Sequence, residues 1–478
     1  MVRLSVDEIA RAVNGRVIAG DPHAEVDGAA IDTRKLCGGE LFIAFAGAQT
    51  DGHRFVADAL DRAAGAAGAA LVERDPEPAP ASGKPVVRVD DTFRALHDLT
   101  RHARGKMPRK LVGITGSAGK TTTKELLAAL LATRFKVSAT VGNLNNLYGF
   151  PVSLLNVPDG TDWMVAEMGM STPGELRQLS LLGRPDVALY TVVRPVHLEF
   201  FDSVRGIAEA KAELMAGLAP DGLIVANADD PEVSRIARRQ QEEKGNRIVW
   251  YGIQTAEPVD LRARDLQPEP EGIGSRFRLE AQGESVDVRL PLHGLYNVEN
   301  ALAAAACARD LGLTLPEIAA ALGSVRPASM RGVVHRVEVE GGAYTLVDDS
   351  YNSNPDALIK ALDGAAVLRA ERHLAVLGDM RELGPEGPRF HRECGEHAAR
   401  LGFVVAGVGE LARELVAGAT AAAGSAVWLA DAAAAADWAQ REVHAGDLLL
   451  VKGSRGVGLD AVVRRLLTLA GGRSGGHG

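Results

Sequence analysis

The chain has 478 residues and a formal net charge of −9, enough length for about three domains. Its lysines and arginines are scattered rather than clustered, which argues against nucleic acid or a polyanionic membrane as partner, so any anionic ligand has to be met locally. The three cysteines, Cys37, Cys307 and Cys394, lie far apart with no C-x-x-C spacing; this is the usage of reduced thiols in a cytoplasmic protein, and neither a signal-like start nor an unbroken apolar run argues for membrane insertion.

Residues 1–106 read as a small α/β module. Ser5 ahead of Val6, Ile9, Ala10 and Val13 predicts a capped amphipathic helix; 41–45 reads as a strand followed by the polar stretch 47–53, and 69–72 and 86–89 as two further strands. The prolines of 74–83 mark a surface loop, and Gly105 with Pro108 a hinge.

From 107 to 325 strands and helices alternate, which implies a parallel sheet with helices on both faces and ligands at the carboxyl ends of its strands. An apolar strand from Leu111 enters Thr115-Gly-Ser-Ala-Gly-Lys-Thr-Thr-Thr-Lys124, and a helix follows through Leu126, Leu127, Leu130 and Leu131. This is a phosphate-binding loop: Gly116 and Gly119 permit close backbone approach, successive amides face phosphate oxygens, Lys120 supplies a cation and Thr121 a hydroxyl for magnesium. Its spacing departs from G-x-x-x-x-G-K-[ST], because Ile114 stands in the first glycine's place.

Strand 163–167 ends in Glu167, and strand 186–193 leads to His197 and Glu199, so Glu167 and His197 emerge on the edge that carries the loop. Glu167 reads equally as a magnesium ligand or a solvated acid, and His197 as a ligand or a hydrogen-bonded loop histidine. Lys211 shares the helical stripe of Val204, Ile207, Leu214 and Leu218. It either snorkels to water or is held neutral by burial, open to carbamylation into a carboxylate-like metal ligand. Segments 276–279 and 286–290 around Gly283 predict an antiparallel hairpin decorating the sheet. Asn297 and Asn300 then share one helical face, as caps or as amide contacts to a base.

Residues 326–466 form a third α/β unit with strands at 344–349, 373–378, 403–405 and 448–451, each ending in polar or glycine residues. The tail, 467–478, reads as disordered. The whole is an α/β protein of three domains: a smaller N-terminal α/β domain, a central phosphate-loop parallel sheet and a Rossmann-like C-terminal domain.

With Gly142-Asn-Leu-Asn-Asn146, Glu167-Met-Gly-Met170, His197-Leu-Glu199, Ala210-Lys-Ala-Glu213 and Asp348-Asp-Ser-Tyr-Asn-Ser-Asn-Pro355 added to the loop, nearly the whole chain resembles the ATP-dependent Mur ligases of peptidoglycan synthesis. The Asn-Leu-Asn-Asn and Tyr-Asn-x-Asn-Pro forms are most similar to the branch that adds D-alanyl-D-alanine to UDP-N-acetylmuramoyl-tripeptide. Arg194-Pro-Val196 departs from the small residues usual before His-Leu-Glu, and Ser171 replaces a more familiar Asn.

The resemblance implies ATP and two magnesium ions. Gly116, Ser117, Ala118, Gly119, Lys120, Thr121 and Thr122 would hold the phosphates; Thr121 and Glu167 the first metal; His197 and carbamylated Lys211 the second. Asn297 would contact adenine, Arg331 the phosphates and Asp349 the ribose. Residues 1–106 would hold the UDP end through Thr33, Arg34, Gly47, Asp51 and His53; Asn143, Asn145 and Asn146 would line the substrate channel; Asn352, Asn354, Lys452, Ser454 and Arg455 would receive the dipeptide. Both substrates are small molecules, and a monomer is expected. Other carboxylate–amine ligases of this build, such as a diaminopimelate- or lysine-adding Mur ligase or a folylpolyglutamate synthase, remain open alternatives, as does a non-catalytic nucleotide-dependent assembly factor.

Overall fold

The structure is a computed structural model that describes residues 3–47, 50–107, 110–142, 144–196, 198–269 and 273–473. Its centre is a nine-stranded sheet. In spatial order this runs Glu284–Leu290, Ser275–Ala281, Leu261–Pro268, Arg247–Gly252, Leu223–Asn227, Val187–Tyr190, Lys110–Thr115, Trp163–Glu167 and Val137–Ala139. The last seven are mutually parallel. Their inner members are buried along their whole length, Leu223–Asn227 and Trp163–Glu167 among them, as strands covered on both faces must be. One face packs against helices Lys120–Leu131 and Tyr296–Asp310, the other against Glu175–Gly183 and Val204–Ala212.

The expected hairpin does more than decorate this sheet. Ser275–Ala281 pairs antiparallel with both neighbours, so the hairpin extends the sheet at one edge. The stripe through Lys211 is also not one helix: Val204–Ala212 tightens into a 3₁₀ turn at Glu213–Gly217, leaving Lys211 in the last α-helical turn.

The N-terminal unit is a five-stranded sheet in the order Arg16–Ala19, Val86–Arg88, Ala69–Val72, Leu41–Ile43, Ala29–Ala30, antiparallel only at its first pair. Ser5 caps helix Val6–Ala12 as expected, accepting from the Glu8 amide. The unit meets the central sheet through Asn156, whose amide bonds both the N–H and the carbonyl of Ala29, at 2.8 and 2.7 Å.

The third unit is a six-stranded sheet, Val333–Val339, Gly342–Asp349, Leu448–Lys452, His373–Gly378, Phe403–Val408, Ala426–Leu429, parallel beyond its first pair. The chain is therefore α/β with three large sheets, plus a two-stranded ribbon that pairs Arg3–Ser5 with Glu25–Asp27. The final helix, Asp460–Arg473, corrects the expectation of disorder from 467, because the apolar run at 466–470 continues a helix already begun. Cys37, Cys307 and Cys394 are unpaired. Among the described residues no helix is long and apolar enough to cross a membrane.

Candidate active site

Strand Lys110–Thr115 lies between Val187–Tyr190 and Trp163–Glu167, so three strand ends converge where the phosphate loop turns into helix Lys120–Leu131. Ile114 is fully buried in the core, which accounts for an apolar residue where the general pattern has glycine. The loop's two glycines are required by neighbours as well as by ligand approach. Gly116 (φ 154°) and Gly119 (φ 81°) would place a Cβ at 1.8 Å from Thr191 Oγ1 and 2.1 Å from Asn300 Oδ1 respectively. Thr191 Oγ1 donates to the Ala118 carbonyl at 2.6 Å. Ser117 Oγ accepts from the Arg194 amide at 2.9 Å, and its own amide donates to the Val192 carbonyl at 2.7 Å.

The loop faces a cleft of about 580 Å³ between the central and C-terminal sheets, lined among others by residues 117–122, Glu167, Lys211, Asn297, Arg331 and residues 351–354. Thr121 Oγ1 donates to Glu167 Oε2 at 2.6 Å and accepts from Arg331 Nη2 at 3.0 Å. Asn145 Nδ2 donates to Glu167 Oε1 at 2.8 Å. Arg331 stacks its guanidinium over Tyr351, 4.0 Å from the ring centre. Lys120 Nζ folds back onto the Gly116 carbonyl at 2.8 Å. Desolvation pulls its pKa down; the nearby Glu167 opposes that and Arg331 adds to it. Lys211 is 2% exposed, and burial, reinforced by the Lys120 charge, holds its amine well below the usual lysine range. The burial sets aside the snorkelling reading of Lys211, and the shift disfavours its charged form.

The oxygen donors fit a hard cation. Thr121 and Glu167 already sit within hydrogen-bond distance, and magnesium takes one or two protein oxygens with the rest from phosphate and water. Among the described residues no group of three His, Cys, Asp or Glu forms a dedicated metal cluster. His197 and Asn143, both expected here, lie outside the described residues.

Several expected contacts prove to be committed elsewhere. Asn297 Nδ2 donates to the His293 carbonyl at 2.7 Å, and Asn300 Nδ2 to Asn297 Oδ1 at 3.0 Å, so the pair is an amide relay within the cleft wall. Asp349 Oδ2 is taken by buried Lys452 at 2.6 Å, and Lys452 also bonds the Asn352 carbonyl at 2.9 Å. Lys452 thus ties two loops together instead of presenting a free cation. Asn354 Oδ1 caps helix Pro355–Ala366 through the Ala357 amide at 2.9 Å. Ser454 Oγ accepts from the Arg381 amide at 3.0 Å, and Arg455 pairs with Asp460 at 3.6 Å. Asn146 Oδ1 accepts from the Gly149 amide at 2.8 Å. Asn352 is exposed and lines the cleft.

Thr33, Arg34, Gly47, Asp51 and His53 are not in this cleft but in the N-terminal unit. Arg34 is exposed and forks onto Asp32 at 2.9 and 2.8 Å, and the Thr33 carbonyl accepts from Arg62 at 2.8 Å. The Gly47 amide donates to the Thr50 carbonyl at 3.0 Å. His53 is 4% exposed: Nε2 accepts from the Glu73 amide at 3.0 Å, so Nδ1 carries the proton to Asp51 Oδ1 at 2.8 Å. His53 thus braces a loop with both ring nitrogens.

Arg194 was legible in the sequence as a departure and not as a site residue. It bonds Asp230 Oδ2 at 2.7 Å, and its Nε lies 3.4 Å from Asp356 on the C-terminal helix Pro355–Ala366. Lys360, one turn on, pairs with Glu299 of the central unit at 3.2 Å. Partners so distant in the chain leave no local signal.

The sequence matches the Mur ligase family catalytic domain over residues 25–104, the Mur ligase middle domain over 114–308 and the Mur ligase glutamate ligase domain over 335–455. The UDP-N-acetylmuramoyl-tripeptide–D-alanyl-D-alanine ligase of Escherichia coli (strain K12) is 34% identical over 98% of this chain and 99% of its own length. Among solved structures, MurF from Acinetobacter baumannii is 28% identical with a TM-score of 0.83, over 98% of this chain and 99% of that one. The MurF ligase of Thermotoga maritima in complex with ADP is also 28% identical, with a TM-score of 0.76 over 94% and 99%. On its sequence over nearly its full length and on its architecture of three large sheets, the chain belongs to the Mur ligase family.

Proposed function

We propose that this chain is the ATP-dependent ligase that joins D-alanyl-D-alanine to UDP-N-acetylmuramoyl-tripeptide, releasing ADP and phosphate, in peptidoglycan precursor synthesis. The full-length likeness to ligases of that name supports the reading. The observation that carries it is the convergence of Lys120, Thr121, Glu167, Lys211 and Arg331 on one cleft, opposite the 351–354 loop.

The chemistry explains why these types are needed. The tripeptide carboxylate attacks the γ-phosphorus of ATP, the bond to ADP breaks, and an acyl phosphate forms. The free amine of the dipeptide then attacks its carbonyl carbon, phosphate leaves, and the amine's proton is released. Two anions must first be brought together, so Lys120 swings from the Gly116 carbonyl to the phosphates while Arg331 neutralises charge from the C-terminal side. Thr121 and Glu167 would hold a magnesium ion, which when bound supplies positive charge against the phosphate oxygens. Lys211, whose burial disfavours the charged form, would add carbon dioxide at Nζ with loss of a proton; the resulting carbamate, with His197, would serve a second ion.

Residues 1–106 would hold the nucleotide-sugar through Thr33, Arg34 and the Gly47 loop, with Asn143, Asn145 and Asn146 along the channel. The 107–325 unit would hold ATP, with Asn297 at adenine. The 326–466 unit would bring the dipeptide to Asn352 and its neighbours. A cytoplasmic monomer serving wall growth, cell shape and division fits these small-molecule substrates.

Phosphate release with ATP, UDP-N-acetylmuramoyl-tripeptide and D-alanyl-D-alanine, each omitted in turn, tests the assignment. Release should require all three; release that needs a single free amino acid in place of the dipeptide sinks it.

A further inference from the structure

Lys124 lies one helical turn beyond Lys120 on Lys120–Leu131 and is 0% exposed. A buried ammonium must have partners. Its Nζ donates to the Thr140 carbonyl at 2.5 Å and pairs with Glu125 Oε1 at 2.9 Å. Thr140 follows strand Val137–Ala139 and is itself buried; its amide bonds the Val165 carbonyl at 3.1 Å, and its Oγ1 accepts from the Glu167 amide, also at 3.1 Å. Asn145, five residues after Thr140, donates to Glu167 Oε1. The contacts form a closed frame. Helix Lys120–Leu131 touches the Glu167 carboxylate through Thr121, and four residues after Lys120 it reaches the Glu167 backbone through Lys124 and Thr140.

We propose that Lys124 is a positioning residue that sets the distance between the Thr121 hydroxyl and the Glu167 carboxylate, and so the magnesium-dependent part of nucleotide binding. The proposal rests on reading Thr121 and Glu167 as the oxygens that hold the metal. Lys124 does not line the cleft. It acts through Thr140, whose carbonyl orientation fixes where its hydroxyl meets Glu167. A lysine suits this place because only a long cationic side chain spans from the helix to a carbonyl at the sheet's edge strand and offers a charged donor there.

The test is calorimetric titration of the whole chain with ADP, once with magnesium and once with EDTA. Wild type should bind more tightly with magnesium. Lys124→Met should cut that ratio by about tenfold or more, as loss of a group orienting a metal ligand does, with affinity in EDTA unchanged. Thr140→Val should act in the same direction and Thr140→Ser should keep the wild-type ratio; this pair decides the matter if Lys124→Met does not fold. An unchanged ratio in Lys124→Met and Thr140→Val, or affinities that fall equally with and without magnesium, overturns the proposal. A wild type with no magnesium dependence overturns both the proposal and the metal reading beneath it, whereas an altered ratio confined to the variants separates them.

Discussion

The cleft and the N-terminal unit handle polar groups in opposite ways. In the cleft the side chains bond to one another across distant segments, Arg331 to Thr121, Thr121 to Glu167 and Glu167 to Asn145. They leave a buried amine, Lys211, with no carboxylate in ion-pair range among the described residues. In the N-terminal unit the expected contacts are closed locally: Arg34 onto Asp32, His53 onto Asp51, Asp51 onto Arg74. A buried amine without a partner gives up its charge or awaits a ligand or modification, so the cleft is poised for chemistry. The N-terminal unit, by contrast, closes these side chains on one another.

The strongest way to break this contrast is Lys211→Ala. The rate should fall by about a thousandfold while ATP affinity changes little, measured as kcat against nucleotide Kd. Wild type stripped of bicarbonate should lose activity and regain it on adding bicarbonate back. Near-normal turnover by the variant in bicarbonate-depleted buffer would remove the carbamate.

A middle-sized effect is expected at Arg194. Arg194→Ala leaves Asp230, which is 1% exposed, without its cationic partner and cuts the contact from phosphate loop to Asp356. Stability should drop by about 1–3 kcal/mol, with kcat/KM lowered about tenfold; a thermal melt and initial rates both unchanged would show that the loop and the C-terminal helix are not linked there.

The smallest effect sharpens the N-terminal side. Burial raises the Asp51 carboxyl, but the His53 amide and ring and the Arg74 guanidinium outweigh it and bring the pKa from 3.8 to about 2. A depressed acid stabilises the fold above its unfolded value. The advantage of wild type over Asp51→Asn should therefore be full above about pH 4 and be lost as pH falls toward 2. Melts across that window should show it, and a difference independent of pH would mean that Asp51 acts only as a loop cap.

Much of the site was legible because its groups are contiguous. The phosphate loop carries glycine, lysine and hydroxyl within one turn, and strand 163–167 ends in its acid where the strand period puts it at the ligand edge. Lys211 stood out because a cation interrupts an apolar stripe. Arg194 with Asp356, Lys124 with Thr140 and Lys360 with Glu299 were not legible as partners, since no local period relates residues so far apart. The partners of His53 were hidden for a related reason: a polar loop histidine has the same sequence appearance whether its nitrogens face a ligand or their own loop.

By itself the sequence determined the α/β alternation, the loop that receives phosphates and the family, because strand and helix periods and short motifs are local properties of the chain. Only the tertiary structure decided which polar groups remain free. Lys452 is spent on Asp349 and His53 on Asp51, whereas Lys211 is left buried and unpaired among the described residues, because satisfaction of a charge depends on what packs against it.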